Sequence, residues 1–358
     1  MSSSFYSLPV KDIYKTTEDC AVVEFEIAEA LKETFQYQQG QYLTLKAVID
    51  GEEVRRSYSL CSSPLDDSWK VAVKKIEGGK FSTFANDILQ VGDRLEVMPP
   101  NGRFFVPVAP EAARTYVAFA AGSGITPILS IIRTHLEEEP EARFKLFYTN
   151  QSVASIILKE EIEALKNEYL ERFEIFHFLT KEARSTPLFN GRINLEKLDI
   201  ICKALVNLEE ADHFFICGPN EMIFMIRDFL LEKGVDEEKV HFELFNTSGI
   251  KQGTADRYKD RVSSGKMTEL SILEGGKTFT FSLPQGSNNI LDAALQQAAD
   301  LPFACKGGVC CTCRAKLLEG EVDMAVNYAL EKEEVEAGYI LTCQAVPLSE
   351  KVVVDFDS

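Results

Sequence analysis

Four cysteines in the last quarter of the chain have a spacing suited to binding a metal cluster. Cys305, Cys310 and Cys313 follow the pattern C-x4-C-x2-C, and Cys343 lies 30 positions further on. Thiolates are soft, anionic ligands, and this is the plant-type spacing that holds a [2Fe–2S] cluster. Structural zinc sites usually use C-x2-C pairs, so the x4 spacing favours iron–sulfur over zinc. Cys311 fits neither pattern and is predicted not to be a ligand.

The residues around these cysteines support the same interpretation. Two glycines, Gly307 and Gly308, let backbone amides approach the sulfides of a cluster, where larger side chains would obstruct them. The stretch from Met267 to Ser358 resembles a plant-type ferredoxin domain. The resemblance implies an α+β (β-grasp) fold in which the four spaced cysteines are the ligands.

A second group of candidate residues lies at Arg56-Ser57-Tyr58-Ser59. Arginine offers a forked donor to a diphosphate, tyrosine offers a face on which a flat ring can stack, and the Ser59 hydroxyl can hydrogen-bond to a ring nitrogen. Further along, Gly79-Lys80-Phe81-Ser82 leads into a helix predicted from Ser82 to Leu89, whose free amides can face a phosphate. Taken alone, an arginine beside a strand tyrosine is more often an ordinary surface feature than a ligand site.

A third group consists of two turns that each follow an apolar strand. The first turn contains Gly122, Gly124 and Thr126, and it precedes a helix predicted from about Pro127 to His135. Glycines in that position let the backbone approach a pyrophosphate, although two glycines can also make a simple tight turn. The second turn, Cys217-Gly218-Pro219, follows a later strand. Parallel sheets bind ligands beyond the carboxyl ends of their strands, so both turns are candidates, with a buried structural thiol as the alternative for Cys217.

A strand, a glycine turn and a helix in this order suit a nicotinamide dinucleotide, and the choice between NADPH and NADH stays open on the sequence. The segment after the second strand of this region, 148–151, has neither an acid for the adenosine ribose nor an arginine. Lys181 and Arg184, after the third strand, can bind a 2′-phosphate or can be solvated loop charges. We expect only a slight preference for NADPH.

The elements that must position these residues fall into three predicted domains. Short, closely spaced strands in residues 1–109 predict an antiparallel β-barrel, and strands alternating with helices in residues 110–245 predict a parallel α/β sheet. The polar segment 246–266 is predicted to be a linker, and residues 267–358 form the third domain.

Composition limits the classes of partner. The 358 residues carry a net charge of −18, which argues against nucleic acid. No apolar run approaches the roughly 20 residues that span a bilayer, so no membrane partner is expected. No export signal accompanies the nine cysteines, and we expect a cytoplasmic protein with reduced thiols. The histidines at 135, 177, 213 and 241 are predicted to be structural, and no Ser/His/Asp triad or H-E-x-x-H motif is present.

Together, R-x-Y-S, G-x-x-S, the glycine turn and C-G-P resemble the ferredoxin–NADP reductase superfamily. The resemblance implies that Arg56 and Ser82 contact the diphosphate of FAD, that Tyr58 and Ser59 contact its isoalloxazine ring, and that Cys217 lies beside the nicotinamide. Ser59 and Cys217 are the expected catalytic residues. The full set predicted to bind flavin or nucleotide is Arg56, Ser57, Tyr58, Ser59, Lys74, Gly79, Lys80, Phe81, Ser82, Gly122, Gly124, Thr126, Lys181, Arg184, Cys217, Gly218 and Pro219.

The order of the three parts resembles the reductase components of multicomponent oxygenases, most of all the phenylacetyl-CoA epoxidase type. That resemblance implies an NAD(P)H-dependent oxidoreductase that passes electrons through FAD, rather than FMN, and a [2Fe–2S] cluster to an oxygenase partner. Gln151 departs from the arginine of that type, which leaves NADPH preference in doubt. The alternatives are an aromatic-ring dioxygenase reductase, a simple flavin reductase, or a redox-sensing iron–sulfur protein. The charge of −8 on residues 267–358 predicts docking on a basic partner surface, or serves solubility alone.

Overall fold

The computed structural model describes residues 5–245 and 265–358, which belong to two compact units. The first unit is Tyr6–Phe245, and the second contains the described residues from 265 onward. The predicted linker, 246–266, lies outside the described residues except for its last two positions. No helix in the described ranges is long and apolar enough to cross a membrane.

The first unit begins with an antiparallel barrel, as predicted. Its strands are β1 (Tyr6–Thr17), β2 (Cys20–Phe25), β3 (Tyr42–Ile49), β4 (Glu52–Ser59), β5 (Trp69–Lys74) and β6 (Arg94–Val97), in the order β4-β3-β6-β1-β2-β5. A bridge between Leu60 and Val71 joins the two outer strands and closes the sheet. Asp50-Gly51 connects β3 to β4, and both residues have positive φ, as a tight hairpin requires. Helix α1 (Lys80–Asp87) starts two residues before its predicted beginning.

The rest of the first unit is a parallel sheet covered by helices, also as predicted. Its strands are β7 (Thr115–Ala121), β8 (Arg143–Asn150), β9 (Phe173–Leu179), β10 (His213–Gly218) and β11 (Val240–Leu244), in the order β11-β10-β7-β8-β9. Its helices are α2 (Ile125–Glu138), α3 (Lys159–Glu168), α4 (Leu195–Ala204) and α5 (Asn220–Glu232). The sequence pattern predicts α3 from Ser155, but Leu158 has a φ of +56° and separates a short turn at 153–155 from the helix.

Apolar packing joins the barrel to the parallel sheet. Cys20, Val22 and Ala72 of the barrel share one buried cluster with Ile128 and Ile132 of α2. All five side chains are at most 4% exposed. Helix α2, which covers the parallel sheet, therefore shares one buried core with the barrel strands.

The second unit is a mixed sheet packed against a short helix. Its strands are β12 (Met267–Glu274), β13 (Lys277–Pro284), β14 (Arg314–Glu319), β15 (Val322–Met324), β16 (Tyr339–Leu341), β17 (Ala345–Pro347) and β18 (Lys351–Asp355). The main sheet has the order β13-β12-β18-β14-β16, and β15 pairs with β17. The helices are α6 (Ile290–Gln296) and α7 (Lys332–Glu336). The loop between α6 and β14 carries three of the four spaced cysteines.

Candidate functional site

The end of β4 and the start of α1 come together on the barrel. Tyr58 packs against Phe81 of α1, with ring centroids 5.6 Å apart. Arg56 is exposed on the same strand, and Ser59 is buried at its end. The structure thus places a cation, an aromatic face and a hydroxyl on one strand, whose Tyr58 contacts the first turn of α1.

The first amides of α1 have no acceptor within the helix. Gly79 is the N-cap residue and supplies no side chain to cap them. The Ser82 hydroxyl accepts a hydrogen bond from the Ile76 amide and donates one to the Gly79 carbonyl, each at 3.2 Å. Ser82 therefore uses its hydroxyl to shape the loop and leaves its backbone N–H for a ligand. Free amides at a helix start and the exposed cation Arg56 on β4 suit an anionic diphosphate.

Two lysines in this group already have carboxylate partners. Lys74, at the end of β5, lies 3.5 Å from Asp19, and Lys80 pairs with Glu52. Ser57 shares a hydrogen bond with Thr44 at 3.1 Å. A role for these three residues in flavin binding stays a prediction.

The two turns of the parallel sheet touch each other. A Cβ atom on Gly124 would lie 2.1 Å from the carbonyl oxygen of Cys217, a distance that only glycine avoids. Gly122 has a φ of +53°, and its carbonyl accepts a hydrogen bond from the Tyr148 hydroxyl at 2.9 Å. Thr126 is buried and donates to the carbonyl of Ser123 at 3.0 Å. The glycines therefore let one turn sit against the other at the carboxyl edge of β7 and β10.

Glu243 is a site residue that the sequence interpretation missed. It is paired in register with Cys217 on neighbouring parallel strands, and its carboxylate accepts a hydrogen bond of 3.0 Å from Ser59 of the barrel. The side chain keeps some solvent exposure, yet its surroundings raise the pKa of the Glu243 carboxyl to about 8, because desolvation outweighs the Ser59 hydrogen bond. A lone carboxylate near the end of the apolar segment 240–245 was the available signal.

Ser59, Cys217 and Glu243 form one cluster across the two lobes of the first unit. Burial raises the pKa of the Cys217 thiol well above its usual value, and the charge of Glu243 adds to this effect. A raised pKa favours the neutral thiol of Cys217 over the thiolate that a nucleophile requires. The cluster offers a hydroxyl, a thiol and a titratable carboxyl at the point where the barrel meets the parallel sheet.

The loops after β8 and β9 lie side by side. The Lys181 amide donates to the Gln151 carbonyl at 2.8 Å, and the Glu182 carboxylate accepts from the Val153 amide at 2.9 Å. Lys181 and Arg184 are exposed. In the described part of the chain, the buried hydroxyl of Thr149 at the end of β8 has no hydrogen-bond partner. This edge therefore presents an unsatisfied polar group, with the exposed Lys181 on the neighbouring loop.

The four spaced cysteines form two pairs in the second unit. Cys305 lies within hydrogen-bonding distance of Cys310, and Cys313 of Cys343. Across residues 5–245 and 265–358, no three His, Cys, Asp or Glu side chains meet closely enough for a single metal ion. Two thiol pairs suit instead a two-iron cluster, which needs four thiolates spread over two metal centres.

Backbone amides surround these thiols. The Gly307 amide donates to Cys305 Sγ at 3.3 Å, and the amides of Val309 and Cys310 are directed at the same sulfur. The Cys311 thiol donates to the Ala329 carbonyl at 3.0 Å, which agrees with its exclusion as a ligand. N–H donors of this kind stabilise the negative charge of a thiolate-bound cluster, so the loop fits a [2Fe–2S] group.

Three family models match the chain in series. An oxidoreductase FAD-binding domain matches residues 7–106, an oxidoreductase NAD-binding domain matches 119–228, and a 2Fe-2S iron-sulfur cluster binding domain matches 272–348. These matches confirm the predicted fold classes and the predicted FAD, nicotinamide nucleotide and [2Fe–2S] cofactors. They also exclude the zinc alternative for the cysteines.

Known proteins resemble the chain over its full length. It is 42% identical to one of the subunits of the 1,2-phenylacetyl-CoA epoxidase of Escherichia coli, over 99% of both chains. It is 32% identical to the ferredoxin reductase component of 3-ketosteroid-9-alpha-monooxygenase from Rhodococcus rhodochrous, over 98% of this chain and 96% of that one. Phthalate dioxygenase reductase has the same fold, with a TM-score of 0.59 at 21% identity over 99% of this chain and 100% of that one.

Proposed function

Because the chain belongs to the family of three-part oxygenase reductases that includes this component of the Escherichia coli 1,2-phenylacetyl-CoA epoxidase, we propose that it supplies electrons from NAD(P)H to an epoxidase acting on a coenzyme A thioester of phenylacetate. The observation that carries the proposal is 42% identity over 99% of both chains, an alignment that includes all three matched domains. We also propose that it acts in the cytoplasm.

The residues of the first unit bind and orient the two redox partners. Bound FAD accepts an electron pair as a hydride and releases electrons singly, which a one-electron iron–sulfur acceptor requires. We assign the diphosphate to Arg56 and the first amides of α1, and the flat ring to Tyr58 and Ser59. The turn at Gly122–Gly124 holds the pyrophosphate of the dinucleotide, with Gly218 and Pro219 shaping the nicotinamide pocket.

Ser59, Cys217 and Glu243 act where hydride transfer takes place. Ser59 can donate its hydroxyl either to Glu243, as in the structure, or to a ring nitrogen of the flavin. Cys217 fills the space beside the nicotinamide as a neutral, polarisable group. Glu243, with its pKa of about 8, changes its protonation state close to physiological pH.

Lys181 is the residue that we assign to nucleotide selectivity, with Arg184 as a weaker contributor. Replacing Lys181 by alanine is expected to lower kcat/KM for NADPH by about fivefold, because one exposed charge contributes about 1 kcal/mol. The value for NADH should stay unchanged. Equal losses with both nucleotides would show that Lys181 does not contact a 2′-phosphate.

A reconstitution experiment tests the proposed partner. The purified holoprotein is mixed with the oxygenase subunits of phenylacetyl-CoA epoxidase, NADPH or NADH, and phenylacetyl-CoA, and the epoxide is measured. We expect product formation whose rate falls as salt rises, because the second unit carries a charge of −8 from residue 267 onward. Rapid reduction of an artificial acceptor without any epoxide would contradict the assigned partner while leaving the reductase chemistry intact.

A further inference from the structure

Helix α2 carries buried hydroxyls that bond to the barrel. Ser130 donates to the Ser62 carbonyl at 2.6 Å. Thr134 donates to the Ser130 carbonyl at 2.8 Å, so its oxygen is free to accept from the Ser63 hydroxyl at 2.9 Å. All four residues are at most 2% exposed. The middle of the helix is therefore held against the barrel by directional bonds as well as by apolar packing.

The last turns of α2 are held by a buried hydrogen-bonded chain that also begins in the barrel. Gln39 donates to the Val106 carbonyl at 2.9 Å and to His135 Nε2 at 3.2 Å. With the ring proton then on Nδ1, His135 donates to Glu139 at 3.0 Å, and the Tyr116 hydroxyl donates to the same carboxylate at 2.8 Å. Burial favours a higher pKa for Glu139, but these hydrogen bonds hold it below its usual value. Each of the four side chains in this chain is at most 1% exposed.

These polar contacts fix the position of α2 in a way that the surrounding apolar core cannot. Apolar burial is non-directional, so it permits a helix to slide or rotate by small amounts. A buried polar network is satisfied in one arrangement only and is costly when a partner is lost. The contacts therefore select one position of α2 on the barrel.

Helix α2 also begins directly after the Gly122–Gly124 turn. Any shift of the helix moves that turn relative to β4, which carries Tyr58 and Ser59. Hydride transfer needs its two reacting atoms about 3–3.5 Å apart, and a misplacement of about 1 Å can cost roughly a hundredfold in rate. A helix that is fixed along its side thus keeps the dinucleotide at a constant distance from the flavin.

We propose that Gln39, Ser63, Thr134 and His135 are positioning residues for hydride transfer. They fix α2 on the barrel and so set the separation between the dinucleotide turn and the flavin-binding strand. The proposal rests on the function proposed above, because it takes the Gly122–Gly124 turn as the binding site of the dinucleotide.

The test uses the full-length protein loaded with FAD and the cluster, as Gln39→Leu, Thr134→Val and the double variant. We expect the flavin reduction rate at saturating NADPH to fall at least about tenfold in the double variant. The Kd of oxidised dinucleotide should change less than about twofold, since the turn itself is intact. Without dinucleotide, hydrogen exchange in peptides covering 125–138 should become faster.

Thr268→Val is the matched control. Thr268 is fully buried in the second unit and donates to the Ser349 carbonyl at 2.6 Å, so the same chemical change is made outside α2. This variant should leave flavin reduction and hydrogen exchange of α2 unchanged.

An unchanged flavin reduction rate in a double variant that keeps its fold and FAD would overturn the proposal, whether or not the Kd of the dinucleotide is raised. If Gln39→Leu does not retain FAD, the near-isosteric Thr134→Val decides by the same measurement. If the dinucleotide does not bind at the Gly122–Gly124 turn, Gly124→Ala will leave the Kd of the dinucleotide unaltered, so this failure is recognised separately.

Discussion

The cysteine loop and the Ser59–Cys217–Glu243 cluster are assembled in opposite ways. Three of the four thiols lie within nine consecutive residues, 305–313, and the loop brings its own amides to the sulfurs. The other cluster combines the end of a barrel strand with the ends of two parallel strands, and its Ser59–Glu243 hydrogen bond spans 184 positions. The local site depends on one loop and a single distant thiol, Cys343, whereas the distributed site depends on how two lobes pack.

The largest effect is expected from Cys310→Ser, which removes a ligand from the local site. Loss of the thiolate should abolish the cluster spectrum and reduce electron delivery to the oxygenase by more than about a hundredfold, since cluster binding needs all four thiolates. Flavin reduction by NADPH should persist, because the distributed site lies in the other unit. Cys311→Ser, one position away, is the control and should keep the cluster. A variant that loses flavin reduction as well would show that the two sites are not independent.

A smaller effect is expected from Gly124→Ala in the distributed site. The new Cβ would lie 2.1 Å from the Cys217 carbonyl oxygen, so the two turns must separate. Flavin reduction should slow by about tenfold to a hundredfold, because the dinucleotide is displaced. Stopped-flow absorbance measures this, and the cluster spectrum should not change. In Gly234→Ala the new Cβ meets nothing within 4 Å, although the φ of +86° strains alanine, so this variant controls for a loss of stability without a clash between the two turns.

Ser59→Ala tests the assigned role of the hydroxyl. Its loss should slow flavin reduction by about tenfold, the value of one well-placed hydrogen bond, and weaken dinucleotide binding less. Single-turnover reduction over a range of NADPH concentrations separates the two quantities. A rate equal to that of the unaltered protein would remove Ser59 from the mechanism.

The smallest effect concerns the protonation of Glu243. With a pKa of about 8, its carboxyl is mostly neutral at pH 7 and ionised at pH 9. An anion beside the nicotinamide favours the positive charge that develops there as hydride leaves, so flavin reduction should rise several-fold from pH 7 to pH 9. Glu243→Gln should flatten this rise. A profile that is unchanged in the variant would assign the titration to another group.

The same carboxyl also links folding to pH. Its pKa is higher in the folded protein than the ordinary 4.5, so the folded state binds the proton more tightly. The free energy of unfolding should therefore decrease as pH rises from about 4.5 to about 8, and this decrease should be smaller in Glu243→Gln. Urea unfolding at a series of pH values measures the difference.

A local site can be predicted from the sequence more fully than a distributed one. The spacing predicts Cys305, Cys310, Cys313 and Cys343 as the cluster ligands because three of them are neighbours in sequence, and that assignment stays a prediction. Gly124 was predicted as a phosphate contact, but its steric reason, the carbonyl of Cys217, requires the packed sheet. Glu243 was missed because no residue near it in sequence indicates that Ser59 is its hydrogen-bond partner.

Local backbone conformations account for the remaining differences. Helix α3 was predicted to begin at Ser155, whereas the positive φ of Leu158 delays it to Lys159. The sequence pattern predicts α6 from about Ile290 to Ala299, whereas the helix ends at Gln296, and Ala298 has a φ of +60°. Apolar periodicity carries no information on such single-residue reversals, since the hydrophobic pattern continues through them.

Anaerobic reductive titration of the intact protein and of Cys310→Ser tests the central claim most directly, namely that electrons enter as a pair in the first unit and leave singly through the cysteine loop. Absorbance should show both FAD and cluster reduced by NAD(P)H in the intact protein, which should take up one electron more per chain than the variant. Equal uptake by the two proteins, or no reduction of FAD by NADH and NADPH, would contradict the account.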